Sequence, residues 1–391
     1  MKAWPRVALS ELLQDASEPV RVQQDDDYPN FGIYSFGRGL FAKPPISGMQ
    51  TSAGTLYRVR AGNFIYSRLF AFEGSYGLVD DTFDGHFTSN EYPSFSLDRS
   101  RLEPGFLRAY FQFPRVWQDI AIGSKGVGSR RIRVQPDKVL AHRIPIPPLA
   151  EQQALVARLD TLAEKTRQVE AHLDAVERDA KHLLALRFRD AIAGAPLRPM
   201  AEVAPLVRRD VIIDPEKSYT ELGVRSFYKG AFHRRTVPGS DFSWQDLYRV
   251  QAGDLIFSNI MAWEQAIAIA QPEDDSCVGN HRMLTCEANA ELAVPGFLWY
   301  YFTTEEGFAK IYAASPGTAA RNRTMTAPAL MAIEVPMPPL AVQQTFDRLQ
   351  AEVAALKTKH TAIRQANAAL IPATLERVFA TGTRVRTAPP A

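Results

Sequence analysis

Two kinds of hydrophobic pattern alternate along this chain. Short apolar or aromatic runs such as TLYRVRAG from Thr55, NFIYSRLFAF from Asn63 and DLIFSNIMAW from Asp254 are cut by Gly, Pro and Asn, and they predict strands and turns. PGFLRAYFQFPRVWQDI from Pro104 and PGFLWYYFTTEEGFAKI from Pro295 carry apolar residues at helical spacing after a Pro-Gly start, and they predict helices. Segments of both kinds in one stretch predict an α/β globule of mixed α+β type.

The pattern then changes abruptly. Residues 149–192 hold no Pro or Gly and are dominated by Ala, Leu, Glu, Arg, Lys and Gln, the strong helix formers. Leu155, Leu159, Leu162, Thr166, Val169, Leu173, Val176, Ala180 and Leu183 are spaced alternately by four and three, which predicts a coiled-coil seam. A second such stretch begins at 341 and places Phe346, Leu349, Val353, Leu356, His360, Ile363, Asn367 and Leu370 at the same kind of spacing. At ~1.5 Å per residue each helix would span roughly 60 Å. A seam buried on one side needs a partner, so the two helices are expected to pair antiparallel and hold two globules apart. His360 and Asn367, polar residues on seam positions, are expected to fix the register.

Sliding the chain against itself by 191 positions shows why there are two of everything. Tyr28, Gly32, Ser35, Phe36, Gly39, Phe41 and Gly48 fall on Tyr219, Gly223, Ser226, Phe227, Gly230, Phe232 and Gly239. LYRVRAGNFIYSRLFAFE from Leu56 matches LYRVQAGDLIFSNIMAWE from Leu247, and IPIPPLAEQQ from Ile144 matches VPMPPLAVQQ from Val335. This period is far longer than a solenoid unit, so each copy is a domain with a helical appendage. The expected organisation is a globule over 1–148, a long helix over 149–194, a second globule over 195–339, a second helix over 340–382 and a flexible tail over 383–391. Residues 74–103 and 265–294 diverge, as similar scaffolds facing different targets would.

Composition narrows the function. With 45 Lys and Arg against 43 Asp and Glu the net charge is only +2, so any nucleic-acid surface must be local. Two cysteines, Cys277 and Cys286, exclude a disulfide scaffold and fit a reducing cytoplasm, where they would serve as packing residues. The first residues, MKAWPRVALSELLQ, lack the apolar stretch of a signal peptide, and no window approaches a membrane span; a cytoplasmic chain is expected.

No catalytic constellation emerges. GSKGVGSR at 123–130 lacks the GK[ST] ending of a phosphate-cradling loop, and HExxH, GxSxG, GxGxxG and a close His/Cys cluster are all missing from the sequence. DPEK at 214–217 has no second acidic partner at useful spacing. What recurs is basic loop chemistry. Lys125, Arg130, Arg131 and Arg133 in copy one correspond to a stretch with Arg321, Asn322 and Arg323 in copy two, where Arg130 and Arg321 align. Arg38 and Lys43 in copy one face Arg225, Lys229, Arg234 and Arg235 in copy two, and Arg68 aligns with Asn259. Lys and Arg neutralise phosphates, Arg can pair with guanine and Asn with adenine, so these residues are the candidate DNA contacts. Solvated surface charge is the plainer alternative for each. The shared aromatics Phe36, Phe41, Tyr57, Phe106, Tyr110 and Phe111 are expected in the core.

The organisation resembles the DNA-specificity subunits of Type I restriction-modification systems. The resemblance rests on PPLAEQQ at Pro147–Gln153 and PPLAVQQ at Pro338–Gln344 opening the two helices, on YxxxGxxSF from Tyr28 and Tyr219, on RVxAGxxIxS from Arg58 and Arg249, and on the order globule, helix, globule, helix across the chain. Val342 departs from it, standing where copy one has Glu151. The resemblance implies target-recognition domains that each read one half-site of a bipartite asymmetric target on double-stranded DNA, with the helices setting the unread spacer. It implies no catalysis by this chain and no cofactor of its own. S-adenosylmethionine, ATP and Mg would belong to two adenine-methyltransferase (modification) subunits and to restriction/translocase subunits. Those partners would dock on the helices, whose expected seam and docking positions are Leu155, Leu162, Val169, Val176, Leu183, Phe346, Val353, Leu356, Ile363 and Leu370. A non-catalytic interaction scaffold, or a nuclease or methyltransferase with an unrecognised site, remains the alternative.

Overall fold

A computed structural model of the chain describes residues 4–122, 133–242, 246–317 and 323–380. The chain divides into two compact units, Met1–His172 with Ala362–Ala391, and Leu173–Thr361. Each unit holds one mixed globule and a segment of both long helices.

In the first unit the strands are β1 (Arg6–Ala8), β2 (Leu13–Asp15), β3 (Glu18–Arg21), β4 (Asp27–Ile33), β5 (Leu40–Ser47), β6 (Thr55–Arg58), β7 (Phe64–Tyr66), β8 (Tyr76–Leu78), β9 (Phe87–Thr88) and β10 (Ser94–Leu97). Helices α1 (Pro104–Phe111), α2 (Pro114–Ala121) and α3 (Pro136–Ala141), strand β11 (Arg143–Pro145) and the long α4 (Leu149–Ile192) follow. The strands form sheets in the orders β3-β6-β9-β4-β5, β2-β10-β7-β8 and β1-β11. Each of α1, α2 and α3 begins on Pro, whose missing N–H costs nothing where no intrahelical acceptor exists. The core gathers Phe64, Tyr66, Tyr76, Phe106, Phe111 and Trp117 and extends onto the long helices through Leu159, Leu375 and Phe379.

The second unit repeats this plan with β12 (Leu197–Pro199), α5 (Met200–Val203), β13 (Ser218–Val224), β14 (Ala231–Pro238), β15 (Tyr248–Arg249), β16 (Leu255–Ser258), β17 (Ile267–Ile269), β18 (Val278–Gly279) and β19 (Met283–Cys286). It continues with α6 (Pro295–Thr303), α7 (Glu305–Ala313), α8 (Ala327–Met331), β20 (Glu334–Pro336) and α9 (Leu340–Phe379). The β13–β14 hairpin matches β4–β5 down to one register irregularity in each pair, at Glu221/Leu222 and Tyr28/Asn30. The counterparts of β2 and β3 shrink to the isolated bridges Leu206↔Cys286 and Asp210↔Tyr248. Cys277 and Cys286 are free buried thiols, and burial pushes Cys286 up to about 12, which leaves it protonated and inert.

The Pro-Pro-Leu-Ala-x-Gln-Gln segments acquire a physical reason. Gln152 is fully buried; its Oε1 accepts the Glu103 N–H at 2.9 Å, and its Nε2 donates to the carbonyls of Arg101 and Pro147, both at 2.9 Å. Gln343 does the same with the Val294 N–H at 3.0 Å and the carbonyls of Leu292 and Pro338 at 2.9 and 2.8 Å. Each glutamine thus ties the first residue before a short helix to the start of a long one. The Pro-Gly starts serve the same joint, since a Cβ on Gly105 would lie 2.6 Å from Val156 Cγ1 and one on Gly296 would lie 1.8 Å from Asp347 Oδ1. The Glu151 carboxylate, whose place Val342 takes, accepts a 3.3 Å bond from Trp4 Nε1 and has no part in the glutamine bonds, so that departure leaves them untouched.

Within each unit the long-helix segments run antiparallel. In the first, Asn367 Nδ2 donates to the Thr166 carbonyl at 3.1 Å and to Glu170 Oε1 at 2.8 Å, and Arg364 pairs with Glu170 at 2.5 Å. In the second, His360 Nδ1 lies 3.0 Å from Glu177 Oε1, and Phe188 packs on Phe346. The buried stripe of α9 runs through Phe346, Val353, His360 and Asn367, and then Leu375 and Phe379. That of α4 runs through Gln152, Leu159, Leu173, Leu184 and Phe188. Val169, Leu183, Ile363 and Leu370, expected on the seam, are instead 38%, 41%, 44% and 44% exposed. The polar residues Glu170, Glu177 and Arg364 take part in the helix contact, which an apolar count overlooks. Leu155, Leu162, Val176 and Leu356 are half-buried at its rim. Helix α9 also continues through Pro372, at an exposed position.

Candidate nucleic-acid interface

The candidate cations separate into two groups. Lys125, Arg130, Arg131, Arg321 and Asn322 lie outside the described residues.

The first group sits at the tip and on the outer strand of one hairpin per unit. In the first unit, β4 and β5 join through Tyr34–Gly39, closed by the Tyr34 N–H to the Gly39 carbonyl at 2.9 Å. In the second, β13 and β14 join through Arg225–Gly230, closed by the Arg225 N–H to the Gly230 carbonyl at 2.9 Å. Arg38 donates Nε–H to the Ser35 carbonyl at 3.0 Å and lies over the Tyr34 and Phe36 rings at 5.0 and 5.8 Å. Lys43 lies 5.6 Å from the centroid of Phe41. Arg225 donates to the Ala231 carbonyl at 2.8 Å and covers Phe232 at 4.6 Å, while Lys229 stands 5.7 Å from the centroid of Phe227. Arg38, Lys43, Arg225, Lys229 and Arg234 are exposed, each with its charge head available to a polyanion. Arg235 is also exposed, but its Nε donates to the buried Glu221 Oε2 at 2.7 Å, so part of its charge is already neutralised. Residues 34–44 and 225–235 contain no Asp or Glu of their own; a carboxylate reaches each turn from elsewhere in the globule, Glu73 on Ser35 and Glu264 on Ser226, and the Arg and Lys side chains stand in excess over it.

The second group belongs to the scaffold. Arg68 Nη2 donates to Gln135 Oε1 at 2.6 Å, and its carbonyl accepts the Val134 N–H at 2.9 Å. Arg133 is spent on an ion pair with Glu91 at 2.9 Å. Asn259 occupies the place of Arg68 and accepts the Met325 N–H at 2.8 Å through its carbonyl. Arg323 donates to the Ser315 carbonyl at 3.0 Å and lies 3.9 Å from the centroid of Tyr312. Arg68 Nε and Asn259 Oδ1 are buried and find no partner among the described residues.

Phe36 and Phe227 overturn their expected place in the core. Phe106, Tyr110 and Phe111 are buried with their twins Phe297, Tyr301 and Phe302, whereas Phe36 is 61% and Phe227 60% exposed. Both hold left-handed backbone, with φ of 64° and 60°. That conformation costs a non-glycine residue on the order of 1 kcal/mol and persists only where the surroundings impose it. Here they do. The Phe36 N–H donates to the Glu73 carbonyl at 2.8 Å and Ser35 Oγ to Glu73 Oε2 at 3.2 Å; the Phe227 N–H donates to the Glu264 carbonyl at 3.1 Å and Ser226 Oγ to Glu264 Oε2 at 2.7 Å. The aligned Ser-Phe and Phe-Glu/Trp-Glu pairs carried that signal in the sequence, but hydrophobicity alone pointed inward.

Among the described residues no group of three or more His, Cys, Asp or Glu side chains could hold a metal ion, and no helix is long and apolar enough to cross a membrane.

No family model and no curated protein matches the sequence. Solved structures do match the fold. The crystal structure of the HsdS subunit from Thermoanaerobacter tengcongensis aligns at 20% identity and a TM-score of 0.65, over 97% of each chain. A chain from a structure on complex assembly and conformational transition of the type I R-M system aligns at 19% identity and a TM-score of 0.67, over 97% of this chain and 98% of that one. Over nearly its whole length, the chain has the fold of these two.

Proposed function

We propose that the chain is a non-catalytic, sequence-specific DNA-binding subunit of a Type I restriction-modification complex. The observation that carries this reading is the likeness to the HsdS subunit, which extends over 97% of both chains and so takes in both globules and both long helices. The exposed Arg and Lys side chains of the hairpin tips support it, because such residues are the usual contacts to phosphate oxygens and base edges. Each unit reads one half-site of a split, asymmetric target. Arg38 and Lys43 act in one unit; Arg225, Lys229, Arg234 and, less strongly, Arg235 act in the other. The long helices set the gap and dock two adenine-methylating subunits and the restriction subunits. S-adenosylmethionine, ATP and Mg are theirs, and the methylated base is turned out of the duplex by them.

The test is a map of N6-methyladenine across the host genome by single-molecule sequencing, with and without this gene and with its neighbours intact. The expected result is loss of one motif made of two half-sites around a constant gap. An unchanged map in cells whose modification subunit is expressed and active would overturn the reading in favour of an interaction scaffold.

A further inference from the structure

Phe36 and Phe227 are held in a conformation and an exposure that both run against their chemistry. Their neighbours in the same turns have local reasons for positive φ. Gly37 has no side chain, and a Cβ there would stand 3.0 Å from Gln112 Cα. Tyr228, at the same place in the second unit, donates its hydroxyl to the Phe302 carbonyl at 2.7 Å and meets the Trp299 ring edge-on at 6.2 Å. No comparable burial accounts for the two phenylalanines. Phe36 touches Trp117 edge-on at 6.2 Å and still leaves 61% of its surface exposed, and Phe227 leaves 60%.

Each ring instead projects beside a cation, Arg38 at 5.8 Å and Lys229 at 5.7 Å, from a turn pinned by the Ser and Glu hydrogen bonds described above. A fixed apolar disc next to a positive charge, on a turn whose own residues include no acid, is complementary to a nucleobase next to its phosphate: the ring stacks and the cation neutralises. We infer that Phe36 and Phe227 are base-stacking wedges, each entering a base step of the DNA read by its own unit, with Arg38 and Lys229 on the adjoining phosphates. This rests on the DNA-recognition reading and adds to it the residues that distort or open the duplex.

The experiment uses the full-length chain assembled with its modification partners, a duplex bearing the motif recovered by methylation mapping, and a scrambled duplex of equal length. Phe36→Gly and Phe227→Gly remove the ring at a backbone position where Gly is at ease, so the thermal midpoint should hold or rise. Affinity for the target should fall roughly 5- to 150-fold, as loss of one aromatic stack does, while the slope of log K against log salt stays put. Arg38→Ala should lower that slope by about one. Phe36→Trp and Phe227→Trp should keep most of the affinity. Gly variants that bind and discriminate like the unmodified chain would overturn the wedge and leave recognition standing. Gly variants that lose their protein partners instead, seen as a smaller complex, would assign the rings to a protein contact and also overturn it. Equal binding of target and scrambled duplex by the unmodified complex, or no motif to test, would bring down the recognition reading and the wedge together.

Discussion

Burial, with the Arg6 guanidinium adding to it, holds the His142 imidazole down to about 4, where its Nε2 and the Tyr110 hydroxyl lie 2.9 Å apart. A histidine depressed on folding is fully compatible with the native state above its unfolded pKa near 6.5, and its contribution is lost as pH falls from there through about 4. Stability of the first unit should therefore drop by as much as ~2–3 kcal/mol across that window. Denaturant unfolding of the full chain at pH 7 and pH 4.5 checks it, and His142→Gln should flatten the difference. The basic residues of β14 separate in the same way by environment. Arg234→Ala should reduce the salt slope of DNA binding by about one, whereas Arg235→Ala should also lower the thermal midpoint, because Glu221 is only 7% exposed and loses its counter-charge. Residue type alone does not distinguish Arg234 from Arg235. The sequence shows which side chains are cationic, but whether an acid such as Glu91 or Glu221 has already claimed one depends on strands brought together by the fold.

At the scale of elements, the two glutamine joints carry the sharpest expectation. Gln152→Ala would strand a buried N–H and two carbonyls, so a loss of about 2–4 kcal/mol is expected from denaturant unfolding, against a much smaller effect for the neighbouring exposed Gln153→Ala. The helix contact argues the opposite sign. Asn367 is buried against Thr166 and Glu170, and a polar residue on a seam secures register at some cost in stability. Asn367→Leu should raise the thermal midpoint while weakening the preference for one register, which cysteine cross-linking between the helix segments would report as more than one product. The first long helix was readable from composition, since no Pro or Gly interrupts 149–192; the second was readable from its matching spacing, and it runs on through Pro372. Their inward face was only half readable. Val169 and Ile363 look like seam residues on spacing, yet the contact is shared by Glu170 and Arg364, which are half-buried and pair with each other across it.

For the molecule as a whole, the 191-residue offset was the most informative feature of the sequence, and the two units answer it nearly strand for strand. Matched Gly, Pro and aromatic positions made the duplication visible because they mark turns and helix starts that both copies need. The missing counterparts of β2 and β3 were not visible, since an edge strand is settled by hydrogen bonding across a sheet and not by its own residues. Replacing residues 1–143 with the matching stretch of a related chain should alter one half of the methylated motif and leave the other half as it was; a methylation map showing both halves changed would contradict independent readers.

The buried glutamines bear on how such a protein could change over time. All three partners of Gln152, and all three of Gln343, are main-chain atoms. A plug that asks only for a peptide N–H and two peptide carbonyls is blind to the side chains around it. The glutamine's share of the joint therefore tolerates any substitution in the globule that keeps the main-chain path, while the rest of the seat still asks for Gly105 or Gly296 and for packing onto side chains such as Leu159 and Phe346. Recombination at the Pro-Pro step between genes that keep that path, glycine and packing should yield folded hybrids, and under the function proposed above each such exchange would change one half-site at a stroke.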